Sequence, residues 1–204
     1  EDALGTYLGK LSSRELNHAD SQSVNTLLHT ISDFERISDH SVNLLESAQE
    51  MHTKEINFST DAREELQVLE DAVQDVLNRT TDAFRKDDLH LASKVEPLET
   101  VVDEQARAIK ARHVARLQAG NCSIEYGFVL DDLLTNYERI ADHCSNIAVA
   151  MIEVSEDRFD THEYLNHIKN GESPSFEKRY ERYRGRYTFE PGPSGTAAAP
   201  EQKK

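Results

Sequence analysis

Apolar residues recur at three- and four-residue steps through most of the chain, which is the period of an amphipathic α-helix. These stripes predict five helices, over residues 2–16, 20–52, 60–86, 89–119 and 122–155. Gly120 marks the end of the fourth helix, and Pro97 within it predicts a kink or a later start. Long helices joined by short connections pack as antiparallel neighbours, so the pattern predicts an all-α, up-and-down bundle.

The character of the sequence changes after residue 155. Residues 1–155 therefore form one predicted helical domain, and residues 156–188 a helical extension with a basic and aromatic segment. Residues 189–204 are rich in proline, glycine and alanine, which predicts a disordered tail.

Composition narrows the classes of function. The net charge of -15 disfavours nucleic acid as a partner, because binding a phosphate backbone needs a basic face. No stretch approaches the roughly 18–20 apolar residues of a membrane span, and no signal peptide begins the chain. Cys122 and Cys144 are too few for a disulfide framework and indicate a reducing compartment. Because the chain begins with Glu1 instead of Met, we expect it to be part of a longer protein.

One ten-residue segment occurs twice, 103 residues apart. Residues 34–43 read FERISDHSVN, and residues 137–146 read YERIADHCSN. Six of the ten positions are identical, at matching places in two long helices, which indicates a duplicated unit. We therefore divide the helical domain into a first repeat over residues 1–55 and a second over residues 58–155.

Each copy places Glu and Asp four residues apart, on the face that carries the apolar stripe and is predicted to face the core. The pairs are Glu35 with Asp39 and Glu138 with Asp142. Carboxylates at this spacing lie about 6 Å apart. In a core each needs a proton, a counter-charge or a metal ion, because burying an unpaired carboxylate costs several kcal/mol.

A third pair strengthens the metal hypothesis. Glu99 and Asp103 repeat the spacing on the fourth predicted helix, which could face Glu138 and Asp142 in an antiparallel bundle. Carboxylate ligands suit Mg, Mn and Fe, with Zn as a further candidate. The alternative is a set of interhelical salt bridges to arginine. Four further residues of the repeated segment are predicted to orient the carboxylates rather than to bind metal: His40, Asn43, His143 and Asn146.

The repeated Glu-Arg-Ile-x-Asp-His-x-x-Asn segment, in a duplicated helical bundle, resembles the PhoU family. The resemblance covers residues 1–155 and implies two three-helix repeats whose E(D)xxxD motifs hold multinuclear metal clusters. It implies one cluster at the first-repeat pair and another at the two second-repeat pairs, that is, Glu35 and Asp39, then Glu99, Asp103, Glu138 and Asp142. The first repeat departs from the family because it lacks its first helix. The 103-residue offset puts its middle-helix ligands outside this chain, unless an insertion or deletion places Glu1 or Asp2 at those positions.

Residues 4–13, LGTYLGKLSS, are similar to the PhoU-like domain that follows the membrane region of bacterial sodium/phosphate symporters. This resemblance implies a cytoplasmic, non-catalytic regulatory domain at the inner face of the plasma membrane. Its partner would be the transporter region or the phosphate-uptake machinery. The groove left by the missing helix predicts a homodimer or an exchange of helices between copies.

Three other functions stay open at this point. One is a stand-alone PhoU-type regulator of phosphate signalling, and another is a salt-bridged structural scaffold. The least favoured is a ferritin-like di-metal enzyme, since those use Glu-x-x-His pairs and only Glu15 and His18 have that spacing.

Residues 177–187 carry five basic residues against two acidic ones, a local net charge of +3, beside a stripe of aromatic residues. One interpretation is contact with an anionic membrane surface or an acidic partner. The residues that would make this contact are Arg179, Tyr180, Arg182, Tyr183 and Arg186. The interpretation we favour is that the aromatic residues pack on the surface of the bundle itself.

Overall fold

The computed structural model describes residues 1–155 and 174–189. These residues form the helices α1 (Asp2–Ser12), α2 (His18–Thr53), α3 (Thr60–Lys86), α4 (Leu89–Ala92), α5 (Val95–Gln118), α6 (Ile124–Ser155) and α7 (Pro174–Arg186). They contain no strand, so the predicted all-α bundle is confirmed. None of these described helices is long and apolar enough to cross a membrane. Most of the predicted extension and nearly all of the predicted tail lie outside the described residues.

The predicted fourth helix is divided in two. α4 ends at Ala92 and α5 begins at Val95, so that Pro97 lies in the first turn of α5. A proline is tolerated there because first-turn amides have no acceptor within the helix. The later start is therefore observed, and α1 ends at Ser12, earlier than its pattern predicts.

Side-chain caps fix where α2 and α3 begin. Asn17 Oδ1 accepts a hydrogen bond from the Asp20 amide at 2.8 Å at the start of α2. Ser59 Oγ accepts one from the Ala62 amide at 3.3 Å at the start of α3. Both caps satisfy amides that the helix itself leaves without an acceptor.

α6 is the centre of the bundle, since α2, α3 and α5 all pack against it. Leu130, Leu134 and Ile147 of α6 are completely or almost completely buried, as are Leu98 and Ile109 of α5. Burying each such side chain stabilises the fold by about 1.5–3 kcal/mol. The contact between α5 and α6 is therefore held by well-packed apolar side chains.

α2 presents a different face to the bundle from the one that its stripe predicts. Ile37 is buried against the core, whereas Leu27, Val42 and Leu45 are 40%, 52% and 58% exposed. The expectation that the first carboxylate pair faces the core is wrong, because Glu35 and Asp39 are both exposed. Among the described elements, α2 packs mainly on α6 and α1, and its Phe34 also meets Phe84 of α3, with the ring centroids 4.9 Å apart. These contacts leave most of the stripe exposed.

The two repeats meet through a polar contact between α2 and α6. The rings of His40 and His143 stack with their centroids 5.6 Å apart. His40 Nδ1 lies 2.9 Å from Asn136 Oδ1, which also accepts a hydrogen bond from Asn43 Nδ2 at 3.1 Å. This contact supplies hydrogen bonds to polar groups at the edge of the core.

The same contact is made again with the repeats exchanged. His143 Nδ1 lies 2.8 Å from Asp33 Oδ1, which accepts a hydrogen bond from Asn146 Nδ2 at 3.1 Å. Asp33 and Asn136 are themselves 103 residues apart. The repeats are therefore related by an approximate two-fold axis that passes between the stacked histidines.

The aromatic stripe of α7 lies against the bundle. Tyr183 and Tyr187 are buried, and the Tyr187 hydroxyl donates a hydrogen bond to Asp75 at 2.9 Å. The Tyr180 hydroxyl donates to Glu104 at 2.6 Å, and that contact raises the pKa of Tyr180 to about 12. These aromatic residues therefore pack on the surface of the bundle, which is the interpretation that we favour from the sequence.

Two of the three basic residues singled out on α7 also contact the bundle. Arg179 Nη1 donates to the carbonyl oxygen of Ser93 at 2.6 Å, and Arg186 lies 3.4 Å from Asp75. Arg182 is exposed. Contact with a membrane or an acidic partner stays a prediction for this helix.

Candidate metal centre

Three carboxylates from two helices converge at the contact between α5 and α6. Glu99 and Asp103 lie on successive turns of α5, and Asp142 lies on α6. Each offers an oxygen atom, and these oxygens lie within 4.8 Å of one another. Glu99 is only 5% exposed, whereas the two aspartates are partly buried. No other group of three or more candidate metal ligands occurs in the described residues.

Apolar neighbours fix the position of these carboxylates. Leu98 and Val102, which adjoin Glu99 and Asp103 along α5, have no exposed surface. Ala141, which precedes Asp142 on α6, has none either, and its small side chain allows the helices to approach closely. Because close-packed helices cannot slide without opening cavities, this packing sets the separation of the acidic groups.

Glu138 lies one turn before Asp142 and belongs to the same electrostatic environment. Its pKa is raised, first by burial and then by repulsion from Asp103 and Asp142. Lys110 and Arg107 act in the opposite direction on the same group. The repulsion from these two aspartates indicates that negative charge is concentrated around Glu138. A bound cation would relieve this repulsion.

One ion pair at this site, between Arg139 and Asp142, is open to solvent. Arg139 Nη1 lies 3.4 Å from Asp142, but both side chains are more than a third exposed. Exposed ion pairs contribute about 0–1 kcal/mol. Arg107 Nε donates instead to the backbone carbonyl oxygen of Asp103, at 3.1 Å. The ion pair between Arg139 and Asp142 therefore adds little to the stability of the bundle.

The donor set suits a hard divalent cation. Oxygen ligands on opposite sides of a bound Mg²⁺ or Ca²⁺ lie about 4–5 Å apart, so the three carboxylates can reach one ion without backbone movement. Oxygen-only ligation favours magnesium or manganese over metals that prefer nitrogen or sulfur ligands.

The structure does not bring the first-repeat carboxylates into this cluster. Glu35 and Asp39 lie on the exposed side of α2. The pKa of Glu35 is raised because Glu1 shares a hydrogen bond with it and repels its charge, and Asp39 adds to the repulsion. A metal site at this pair stays a prediction.

The four residues predicted to orient the carboxylates make other contacts. His40 and Asn43 bind Asn136, and His143 and Asn146 bind Asp33, across the interface between the repeats. The acidic residues of the repeated segment therefore point to different neighbours from its His and Asn residues.

Sequence reasoning missed some of the charged and polar groups that hold the bundle. Asp33 and Asn136 directly precede the two copies of the repeated segment, so extending the comparison by one position would have found them. The buried Glu65 accepts hydrogen bonds from both Arg112 and Arg116, at 3.2 and 2.9 Å. No periodic signal identifies this contact, because it joins α3 to a distant part of α5.

Comparison with known proteins supports the resemblance for the second repeat. Residues 66–151 match the family model described as PhoU domain. This segment includes all four second-repeat carboxylates, Glu99, Asp103, Glu138 and Asp142, and excludes the first-repeat pair.

One curated relative aligns with much of the chain. It is the phosphate-specific transport system accessory protein PhoU homolog 1 of Thermotoga maritima, which is 29% identical over 149 residues, or 72% of this chain. The matched region spans 62% of the length of that relative. No solved structure matches the chain significantly.

The raised pKa of Glu138 predicts a stability effect in metal-free protein. The folded state holds this proton more tightly than the unfolded state, so stability falls as pH rises above the ordinary value of 4.5 and through the folded pKa. Glu138→Gln removes this loss. We expect its urea midpoint to exceed that of the wild type at about pH 7, with a smaller difference at about pH 4.5, both in chelator.

Glu64 is exposed on α3, so Glu64→Gln is the matched control. This substitution should leave the urea midpoint unchanged at both pH values. Equal midpoints for wild type and Glu138→Gln at neutral pH would show that the cluster is not electrostatically costly.

Proposed function

We propose that the carboxylate cluster of α5 and α6 binds divalent metal and that the domain is a non-catalytic regulatory element of phosphate transport. The observation that carries this proposal is the convergence of Glu99, Asp103 and Asp142 within a segment that matches the PhoU domain. The name of the Thermotoga relative, an accessory protein of phosphate-specific transport, supports the link to transport.

Metal would act first on the structure of the second repeat. Glu99 and Asp103 would bind from α5 and Asp142 from α6, with Glu138 as a fourth ligand. A bound cation would remove the repulsion among these groups and join the first half of α5 to the middle of α6. Because ligand carboxylates must be ionised, binding would strengthen as pH rises. Manganese and magnesium fit the donor set best, with iron and zinc as alternatives.

The place of the domain in the cell is a finer proposal. Residues 4–13 support the PhoU-like part of a sodium/phosphate symporter, at the cytoplasmic face of the membrane, with the transporter as partner. The Thermotoga relative supports the second candidate, a stand-alone PhoU-type regulator. Both candidates use the same metal site and differ in the partner protein that would respond to metal binding.

Metal binding is tested by titrating chelator-treated protein with Mn²⁺. Wild type should bind Mn²⁺ and gain about 2.7 kcal/mol in unfolding free energy when free metal reaches about 100 times the dissociation constant. Asp103→Asn/Asp142→Asn should lose both effects, because it removes ligand charge from each helix. The control, Glu64→Gln/Glu70→Gln, changes net charge equally at exposed positions of α3 and should bind like wild type.

Failure of the wild type to bind Mn²⁺, Mg²⁺, Fe²⁺ or Zn²⁺ would contradict the proposed site. An equal loss of binding in the control would show that only general negative charge is involved.

The transport role is tested in cells that make the full-length protein. Uptake of radiolabelled phosphate should show the same altered regulation with Asp103→Asn/Asp142→Asn as with deletion of the domain, while the control variant behaves as wild type. Uptake that the deletion itself leaves unchanged would contradict the regulatory role, even if metal binds.

A further inference from the structure

The turn between α5 and α6 holds a partly exposed thiol beside a buried histidine. Cys122 lies in this turn, and His113, in the last third of α5, is only 6% exposed. Cys122 Sγ lies 3.7 Å from His113 Nδ1, within the longer range of hydrogen bonds to sulfur. His113 follows Asp103 by ten residues, so the pair lies about 15 Å along the helix axis from the carboxylate cluster.

The second ring nitrogen of His113 shows which nitrogen carries the proton. His113 Nε2 is buried and has no hydrogen-bond partner in the part of the chain that the structure describes. It lies against Gly127 of α6, where an added Cβ atom would be only 2.7 Å away. A lone pair fits so close a contact better than an N–H group, and buried N–H groups without an acceptor are rare. The proton therefore lies on Nδ1, which donates a hydrogen bond to the Cys122 sulfur.

The charged groups around His113 keep its ring neutral near pH 7. Burial lowers the pKa of His113, Arg116 lowers it further, and Glu65 of α3 acts in the opposite direction. Glu65 accepts hydrogen bonds from both Arg112 and Arg116, so two positive charges face its single negative one. A neutral ring that donates through Nδ1 stabilises a thiolate more than a thiol, because the ionised sulfur is the stronger acceptor.

Two further features favour negative charge on the Cys122 sulfur. Cys122 lies two residues before Ile124, where α6 begins, and the Ser123 hydroxyl accepts a hydrogen bond from the Tyr126 amide at 3.4 Å. The N-terminus of a helix carries partial positive charge. Arg116 lines the same cavity as Cys122. Since the thiolate is the reactive form of cysteine, this position has the features of a reactive thiol.

A cavity of about 570 Å³ adjoins the thiol, between α3, α5 and α6. Its lining residues include Arg116 but no acidic residue, although the chain as a whole has a net charge of -15. Ser59 caps α3 and Ser123 lies at the start of α6, so two helix N-termini adjoin the cavity. Amide and hydroxyl groups of four residues complete the polar lining: Asn57, Ser59, Asn121 and Ser123. This volume and lining suit a small, polar, anionic molecule.

The second cysteine of the chain provides an internal comparison. Cys144 of α6 has no exposed surface, and burial raises the pKa of its thiol to about 12. A thiol in such surroundings is protonated at neutral pH and is shielded from reagents. The two cysteines should therefore differ strongly in reactivity within the folded protein.

We propose that Cys122 is a site of reversible modification, at which a small anionic disulfide enters the cavity and exchanges with the thiol. The thiol first loses its proton to solvent, and the thiolate attacks one sulfur of the disulfide. A new S–S bond forms to Cys122 while the original S–S bond breaks. The other half leaves with the bonding electron pair and takes a proton from solvent, so Cys122 is oxidised and the small disulfide is reduced. A reducing thiol reverses the exchange. The proposal depends neither on metal binding nor on a role in transport.

The first test compares the two thiols in folded protein. Dithiobis(nitrobenzoate), a dianionic disulfide, should release one equivalent of coloured thiolate rapidly near pH 7 and a second only after denaturation in urea. Cys122→Ser should lose the rapid equivalent, whereas Cys144→Ala should keep it. Mass spectrometry of digested protein should place the adduct on Cys122. A rapid equivalent that survives in Cys122→Ser, or a wild type that does not react before it unfolds, would overturn the proposal.

The second test concerns the preference for anions. The rate with dithiobis(nitrobenzoate) is compared with the rate of cystamine, a dicationic disulfide. Their ratio at Cys122 should exceed the ratio at an exposed control thiol, Cys122→Ser/Gln67→Cys, by about tenfold at low salt, and this excess should shrink as salt is added. Equal ratios at the two positions would contradict an anion-binding cavity, because the net charge of the protein repels anions from both.

The third test concerns His113, which is a positioning residue for the thiolate. His113→Leu removes the hydrogen bond and should slow the exchange about threefold or more near pH 7. The difference should disappear near pH 10, where cysteine thiols are ionised without help. His90→Gln, at an exposed position of α4, is the control and should react like wild type. Circular dichroism would establish that each variant is folded. A slower rate that persists at pH 10, or an unchanged rate at pH 7, would contradict the role of the hydrogen bond.

Discussion

The packing of α6 against α2, α3, α4 and α5 is the constraint on which the rest of the structure depends. Its apolar side chains, among them Leu134 and Ile147, are almost completely buried. Truncating one such side chain typically costs about 2–5 kcal/mol, because the cavity that it leaves cannot close fully. This packing sets the register of α5 on α6, and the register holds acidic groups within 4.8 Å of one another against their mutual repulsion. Apolar burial therefore supplies the free energy that positions the charged site.

The duplicated segment has the same sequence features in two environments. In both copies the histidine and asparagine join the repeats, through the stacked rings of His40 and His143 and their hydrogen bonds. The acidic residues differ, because Asp142 meets carboxylates of α5 while Asp39 faces away from the bundle core. One face of α6 thus carries the candidate metal site and another carries the contact with α2. α6 also contacts α2 of the first repeat. An ion that draws α5 and α6 together would therefore act on the helix that holds the two repeats together, and metal binding could change how the repeats pack.

Much of this architecture follows from the sequence. The long helices follow from apolar periodicity, and the convergence of Glu99 and Asp103 with Asp142 follows from their spacing and from antiparallel packing. The orientation of α2 does not follow, because a stripe indicates that a face is apolar and not that another helix covers it. The break before Val95 depends on local hydrogen bonding that periodicity does not encode. Contacts such as Arg116 with Glu65 join residues 51 positions apart, and no local pattern signals them.

Anomalous diffraction from crystals grown with Mn²⁺ would show whether the α5–α6 carboxylates hold a metal ion. Data collected near the manganese edge should show a peak between the carboxylates of Glu99, Asp103 and Asp142, with Glu138 close by. A peak at this place would show both where the ion binds and that the ion is manganese. The absence of a peak there, or a peak only at other acidic groups, would contradict metal binding at this site and would leave the cluster as a set of buried and partly buried charges between α5 and α6.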